Sequence, residues 1–138
     1  TVQVVELRDL AHDLMNHLLT GFPPAPLKRA LDAIEAADAV IAVTPIFNAS
    51  YSGLFKSFFD VVEEDGLVDL PVLIAATGGT ARHSLALEHA MRPLFVYLRA
   101  DVVTTSVFAA PERAMCAVPM AFCAPLGMTR VRRSSEST

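Results

Sequence analysis

Two short apolar runs constrain the fold more than any other feature of this chain. Ala39–Thr44 reads AVIAVT and Pro71–Thr77 reads PVLIAAT, and neither run contains a charged residue. An unbroken apolar run of this length is typical of a parallel strand covered on both faces, because a solvated face would carry polar residues at alternate positions. The two runs therefore predict a parallel β-sheet with helices on both faces.

Strand and helix patterns alternate around these two runs. Two further strands are predicted at Val2–Leu7 and Asp101–Ala109. Four helices are predicted between the strands, of which the last bends at Arg92-Pro93: Ala11–Leu19, Leu27–Ala37, Gly53–Val62 and Ser84–Leu98. The resulting order, β-α-β-α-β-α-β, is that of a single α/β domain, and 138 residues suit one domain.

Charge and cysteine content restrict the class of protein. The formal net charge is -4, which argues against a nucleic-acid binder that neutralises phosphates. No apolar stretch reaches the roughly 18 residues that a membrane span needs. Two cysteines are too few for a disulfide scaffold, so a cytoplasmic location is expected. His12 and His17 have a poor spacing for one helix face, and no metal site is predicted.

Two loops carry the residues that are suited to binding a ligand. In open parallel sheets, ligands bind beyond the carboxyl ends of the strands. Thr44–Ser52 follows the first apolar run and contains Phe47 and Asn48; Thr77–His83 follows the second and contains a Gly-Gly pair. Side by side, such loops form a flat slot for a planar ring with a polar edge. The alternative is that both are ordinary turns.

These residues resemble a known family. The segment TPIFNASYSGLFKSFFD, Thr44–Asp60, resembles the signature of the NADPH-dependent FMN reductases of the flavodoxin-like superfamily. The segment ATGGTARHSLAL, Ala76–Leu87, is similar to the actinobacterial branch, some members of which supply reduced flavin to luciferase-like monooxygenases. The resemblance covers roughly Val2–Ala109, and Phe47 stands where the family usually has Tyr.

The resemblance implies a flavodoxin-like three-layer sandwich that binds FMN and NADPH and transfers hydride from the nicotinamide to the flavin. No side-chain acid, base or nucleophile is required, so no catalytic residue is assigned, because the cofactors carry the chemistry. The implied cofactor-binding residues form two walls and a further pair of contacts to flavin or NADPH: Pro45, Ile46, Phe47 and Asn48; Thr77, Gly78 and Gly79; and Arg82 and His83. It also implies a dimer or tetramer.

The chain departs from the family pattern near both ends. It begins at Thr1, inside a predicted strand, and the family's first strand and its phosphate-binding loop are not found. In the family's sheet, the missing strand lies between the strands predicted here at Val2–Leu7 and Ala39–Thr44. Its loss is therefore expected to leave a gap at the centre of the sheet. Losing about three charge-assisted hydrogen bonds to phosphate would cost ~4–9 kcal/mol.

The last part of the chain does not provide the amphipathic helix that would complete an α/β domain. We therefore predict a flavodoxin-like domain, incomplete at its N-terminus, at residues 1–109 and an irregular tail at residues 110–138, the last nine disordered. Two alternatives to a reductase remain open: a non-catalytic flavin-binding or electron-transfer module, and an inactive fragment.

The helix Gly53–Val62 is apolar around more than half of its circumference. One interpretation places three apolar residues against the sheet and leaves Phe55, Phe59 and Val62 for a partner subunit. The other is a wider helix groove within one chain.

Overall fold

The computed structural model describes residues 1–110 and 127–131. Its strands, in chain order, are β1 (Val2–Glu6), β2 (Ala39–Phe47), β3 (Ser50–Tyr51), β4 (Pro71–Thr77), β5 (Asp101–Val102), β6 (Val107–Ala109) and β7 (Gly127–Val131). Its α-helices are α1 (Ala11–Thr20), α2 (Ala25–Glu35), α3 (Gly53–Phe59) and α4 (Arg92–Tyr97). Short 3₁₀ turns occupy Leu7–Leu10 and Ala81–Ser84, and a π-helical turn occupies Leu87–Met91.

The two apolar runs form the centre of the sheet, as predicted. β2 pairs in parallel with β4 from Val40 opposite Val72 to Pro45 opposite Thr77. β4 pairs in parallel with β5 and, further along, with β6. β1 runs in the same direction as β2, since both are antiparallel to the strand between them. The predicted α/β fold with a mostly parallel sheet is therefore confirmed.

The strand β7 corrects two expectations. The sheet order is β1-β7-β2-β4-β5, so a strand from the end of the chain fills the central position that was expected to be open. Without a strand between them, β1 and β2 would leave the backbone groups that face the gap without hydrogen bonds. β7 pairs with both strands. The expectation of an irregular tail is wrong for Gly127–Val131. The rest of that tail, including Cys116 and Cys123, lies outside the described residues.

The helices of the described residues pack against one face of the sheet. Buried side chains of α1, α2, α3 and α4 form one cluster with Val40, Ala42, Val72 and Ile74, which alternate along β2 and β4. The alternate residues Ile41 and Leu73 are less buried and lie outside this cluster. Helices were predicted on both faces; those of the described residues cover one.

Helix α3 ends at Phe59, three residues before the predicted end. Phe55, Phe58 and Phe59 are all buried within the chain, and Phe55 and Phe59 both contact the ring of Phe95. The prediction that Phe55 and Phe59 face a partner subunit is therefore wrong. A wider helix groove within one chain, the alternative, accounts for their burial.

Two predicted elements are each broken into shorter pieces. The strand predicted at Asp101–Ala109 is interrupted between β5 and β6: the Val103 N–H still donates to the Val72 carbonyl of β4 at 2.9 Å, and the chain then leaves the sheet until Val107. The helix predicted at Ser84–Leu98 consists of a 3₁₀ turn, a π-helical turn and α4, with the last change at Arg92. The predicted bend at Arg92-Pro93 thus coincides with the start of α4, where Pro93 occupies the first turn and has no N–H to satisfy.

Candidate functional site

The two candidate loops leave the sheet side by side. Pro45 near the end of β2 is in register with Thr77 at the end of β4. Neighbouring strands lie about 4.8 Å apart, so the chain segments that follow them begin within contact distance of each other. The register therefore brings together the two walls that the sequence predicts.

The first loop is a tight hairpin. β2 continues to Phe47 and folds back into β3, so that Phe47 pairs with Ser50. Asn48 and Ala49 form the turn, with φ angles of 49° and 67°. Two successive positive φ angles are typical of a type I′ turn, which suits the twist of a β-hairpin. The turn presents Asn48 and Phe47, whose side chain is 51% exposed, at the tip of the hairpin.

Buried hydroxyl groups hold this hairpin against α3. The Thr44 Oγ1 atom accepts a hydrogen bond of 3.1 Å from the Ser52 N–H and donates one of 3.0 Å to the Pro45 carbonyl. The Ser52 hydroxyl accepts a bond of 3.2 Å from the Phe55 N–H and so caps α3. Sequence reasoning missed this role of Thr44 and Ser52, although a serine just before an apolar helix is a recognisable cap signal.

The second loop is fixed at Gly78. The Gly78 N–H donates a hydrogen bond of 3.1 Å to the Ala109 carbonyl at the end of β6. A Cβ atom at this position would lie 2.9 Å from the Phe108 ring and 3.0 Å from the His83 Nδ1 atom. Gly79 is exposed, and a Cβ atom there would meet nothing within 4 Å. Of these two glycines, only Gly79 therefore has open space beside its Cα atom. Phe108, which lies against Gly78, is a neighbour of the site that sequence reasoning missed.

Arg82 and His83 lie in the 3₁₀ turn that follows. The His83 N–H donates to the Thr80 carbonyl at 3.1 Å, which fixes the turn. The His83 side chain is half-buried, and its Nδ1 atom has no hydrogen-bond partner among the residues that the structure describes. Arg82 is exposed. The loop thus combines a solvated cation with an imidazole whose Nδ1 atom is buried beside Gly78.

The predicted site residues differ in what they can offer to a ligand. Pro45 and Ile46 are buried, so they can contribute through the backbone but not through exposed side chains. Thr77, Gly78 and His83 are half-buried. The side chains or backbone that a solute reaches most directly belong to Phe47, Asn48, Gly79 and Arg82. The arrangement offers an aromatic ring, an amide, open backbone and a positive charge, which suit a planar ring with polar edges.

Within residues 1–110 and 127–131, no group of three or more His, Cys, Asp or Glu side chains is placed to hold a metal ion. In the same residues no helix combines the length and the apolar character that crossing a membrane would require.

Comparison with known proteins identifies relatives along most of the chain. The family profile described as "NADPH-dependent FMN reductase" matches residues 1–114. An FMN reductase (NADPH) of Pseudomonas aeruginosa is 44% identical over 107 residues, which are 78% of this chain and 58% of that protein. An NADH-dependent FMN reductase of Pseudomonas putida is 42% identical over 106 residues, 77% of this chain and 57% of the relative. The chain thus spans a little over half the length of these relatives.

Two solved structures share the fold. An oxidoreductase from Corynebacterium diphtheriae superposes with a TM-score of 0.77 at 49% identity, over 78% of this chain and 59% of the other. The apo form of an NADH:FMN oxidoreductase superposes with a TM-score of 0.68 at 36% identity, over 75% of this chain and 55% of the other.

Proposed function

Because the chain belongs to the NADPH-dependent FMN reductase family, we propose that it binds FMN at the carboxyl ends of β2 and β4 and catalyses its NAD(P)H-dependent reduction. The observation that carries this proposal is the register of Pro45 with Thr77, because it sets the two candidate walls beside each other. The activity is proposed rather than transferred, because the chain spans 58% of the first of these relatives.

The exposed groups of the site fit the flavin ring. The isoalloxazine is a planar, largely apolar ring system with a polar edge. Phe47 supplies an exposed aromatic surface, and the Asn48 amide stands next to it at the hairpin tip. Gly79 lets the opposite wall approach closely, because no side chain intervenes. Pro45 and Ile46 line the floor through their backbone atoms.

The protein's part in the reaction is to bind and to orient. When bound, the flavin supplies the chemistry by accepting a hydride from the reduced nicotinamide. The hydroxyl bonds of Thr44 and Ser52 keep the hairpin rigid, which holds Phe47 and Asn48 in a fixed position. We assign no side-chain acid, base or nucleophile to this site.

The second loop supplies the positive character of the site. Arg82 is exposed beside the Gly-Gly turn, and the unpartnered Nδ1 atom of His83 lies against Gly78. A guanidinium attracts the negative charge of a reduced flavin or of a nucleotide phosphate. We therefore assign Arg82 and His83 to contacts with the flavin or with NAD(P)H, whichever lies on this side of the slot.

Three further parts of the proposal follow from the family resemblance. The reduced flavin is passed to a flavin-dependent monooxygenase, as in the branch that Ala76–Leu87 resembles. The chain forms a homodimer or a tetramer. It acts in the cytoplasm, in line with its low cysteine content.

The first experiment is the visible absorption spectrum of the purified chain after FMN is added and the excess is removed. We expect a retained and shifted flavin spectrum, followed by flavin-dependent oxidation of NADPH. A colourless protein would contradict the proposal and favour an inactive fragment. Retained flavin without NADPH oxidation would favour an electron-transfer module instead.

A matched pair of variants locates the bound flavin. Phe47→Ala removes the exposed ring at the hairpin tip, and we expect flavin to bind roughly tenfold more weakly, about the energy of one aromatic contact. Phe22→Ala removes a ring that is 80% exposed, outside both candidate loops, and serves as the control. Equal flavin affinity in both variants would show that the flavin does not contact the hairpin.

A further inference from the structure

A bulge separates β5 from β6. Val102 pairs with Val72, and Val107 pairs with Ala75. The pairing advances by three residues on β4 and by five on the other strand, so two additional residues must leave the ladder in the segment 103–106. Backbone groups that leave a ladder need other hydrogen-bond partners.

Arg92 supplies these partners. Its Nη1 atom donates to the Val103 carbonyl at 3.0 Å, and its Nη2 atom donates to the Thr104 carbonyl at 3.1 Å. The same guanidinium holds the Glu88 carboxylate with two bonds, 2.6 Å from Nε and 3.0 Å from Nη2. The Ser106 hydroxyl donates to Glu88 at 3.2 Å. One ion pair therefore fixes both ends of the bulge.

The bulge in turn sets the position of β6. Phe108 and Ala109 follow the bulge directly, in register with Ala76 and Thr77. The Ala109 carbonyl accepts the Gly78 N–H, and the Phe108 ring lies against the Gly78 backbone. A shift of the bulge therefore moves both groups that hold Gly78 in place.

We propose that Arg92, held by Glu88, is a positioning residue that fixes the Gly78 wall of the flavin site through the bulge and β6. Neither side chain belongs to the two candidate loops. The inference rests on the proposed function where it concerns flavin. Where it concerns the Gly78 wall, it stands on the described contacts alone.

The substitution Arg92→Lys tests this role, because it keeps the positive charge and removes the planar guanidinium group. A guanidinium carries five N–H donors in a fixed plane, whereas an ammonium is a single charged point with three donors. Lysine can still pair with Glu88, but it cannot reach the carboxylate and both carbonyls in the same geometry. Arg99→Lys is the matched control, since Arg99 forms an exposed ion pair with Asp65 in another part of the fold.

The first measurement is amide hydrogen exchange of the full chain without flavin. In Arg92→Lys we expect exchange at Gly78 and Val107–Ala109 to be faster by roughly tenfold or more, the size of a local opening equilibrium shifted by one or two hydrogen bonds. We expect protection elsewhere in β2 and β4 to match that of Arg99→Lys. Equal exchange at Gly78 in the two variants would overturn the proposal, and so would a uniform loss of protection throughout Arg92→Lys.

The second measurement is the dissociation constant of FMN for the same variants. We expect Arg92→Lys to bind FMN about tenfold more weakly than Arg99→Lys, because a misplaced wall loses contacts with the ring. Unchanged affinity beside faster exchange at Gly78 would overturn the link to the flavin site. If the unsubstituted chain binds no FMN, the proposed function fails, and the exchange experiment alone decides whether Arg92 positions Gly78.

Discussion

At the scale of single residues, Gly78 has little room for a side chain. Its neighbours approach from two sides, the Phe108 ring and the His83 imidazole, and its N–H is used by the Ala109 carbonyl. Its φ angle lies outside the left-handed region, so glycine is required here by space and not by backbone conformation. This separates Gly78 from the adjacent Gly79, which has room for a side chain.

The substitution Gly78→Ala is expected to lower the free energy of unfolding by about 1–3 kcal/mol, the usual cost of overpacking. The added methyl group must displace either the Phe108 ring or the His83 ring. Chemical denaturation of this variant and of Gly79→Ala measures the difference, and Gly79→Ala should unfold like the unsubstituted chain. Equal losses in the two variants would show that the crowding at Gly78 is relieved at no cost.

Among secondary-structure elements, those with a local sequence signal were predicted well. AVIAVT and PVLIAAT are strands because their apolar, β-branched residues suit a buried sheet, and each is found where it was expected. For Phe55 and Phe59 the sequence left two interpretations, a partner subunit and a wider groove within the chain, because a local pattern shows how much of a helix is apolar but not what covers it. At the break between β5 and β6, the Val103 carbonyl is bonded to the side chain of Arg92 in another element, a contact that no local pattern shows.

Only part of the candidate site was predicted, because local patterns identify loops but not the residues that reach them from another strand. The two loops could be found because each follows a recognisable strand. Phe108 could not be found, because it reaches Gly78 only through the register of β6 with β4. The assignment of flavin contacts to Arg82 and His83 stays a prediction.

The ion pair between the π-helical turn and α4 predicts a pH dependence. The hydrogen bond from Arg92 lowers the pKa of Glu88 below its ordinary value of 4.5, and the bond from Glu88 raises the pKa of Arg92. A carboxyl group whose pKa is lower in the folded state stabilises the fold above its ordinary pKa. This stabilisation is lost as the pH falls from 4.5 through the lowered value.

The variant Glu88→Gln isolates this contribution. It should be less stable than the unsubstituted chain at pH 7, and the two should converge as the pH falls below 4.5, where the carboxylate becomes protonated. Urea denaturation of both proteins between pH 7 and pH 3 measures the difference at each pH. A difference that stays constant over this range would contradict the assignment to Glu88.

For the chain as a whole, β7 determines whether the sheet is continuous. β1 is hydrogen-bonded to β7, and β7 is hydrogen-bonded to β2. β1 therefore joins the rest of the sheet through a strand that is far from it in sequence. No local pattern could have predicted this pairing, because a five-residue strand has little signal of its own.

Two shortened chains test this role of β7. A chain that ends at residue 131 keeps the strand, and a chain that ends at residue 126 loses it. We expect the shorter chain to lose hydrogen-exchange protection in Val2–Glu6, because these residues lose their pairing partner. If β1 is equally protected in both chains, it has another partner in the sheet.

The pairing of Val2 with Val131 also has a consequence for the order in which the chain folds. A ribosome adds about 5–20 residues per second, N-terminus first, so β1 is made well before its partner β7. The contacts among β2, β4 and the helices can form during synthesis, whereas β1 has no hydrogen-bonded neighbour until β7 has been made. β1 can therefore join the sheet only after β7 has been made, and until then its exposed edge is open to pairing with other nascent chains.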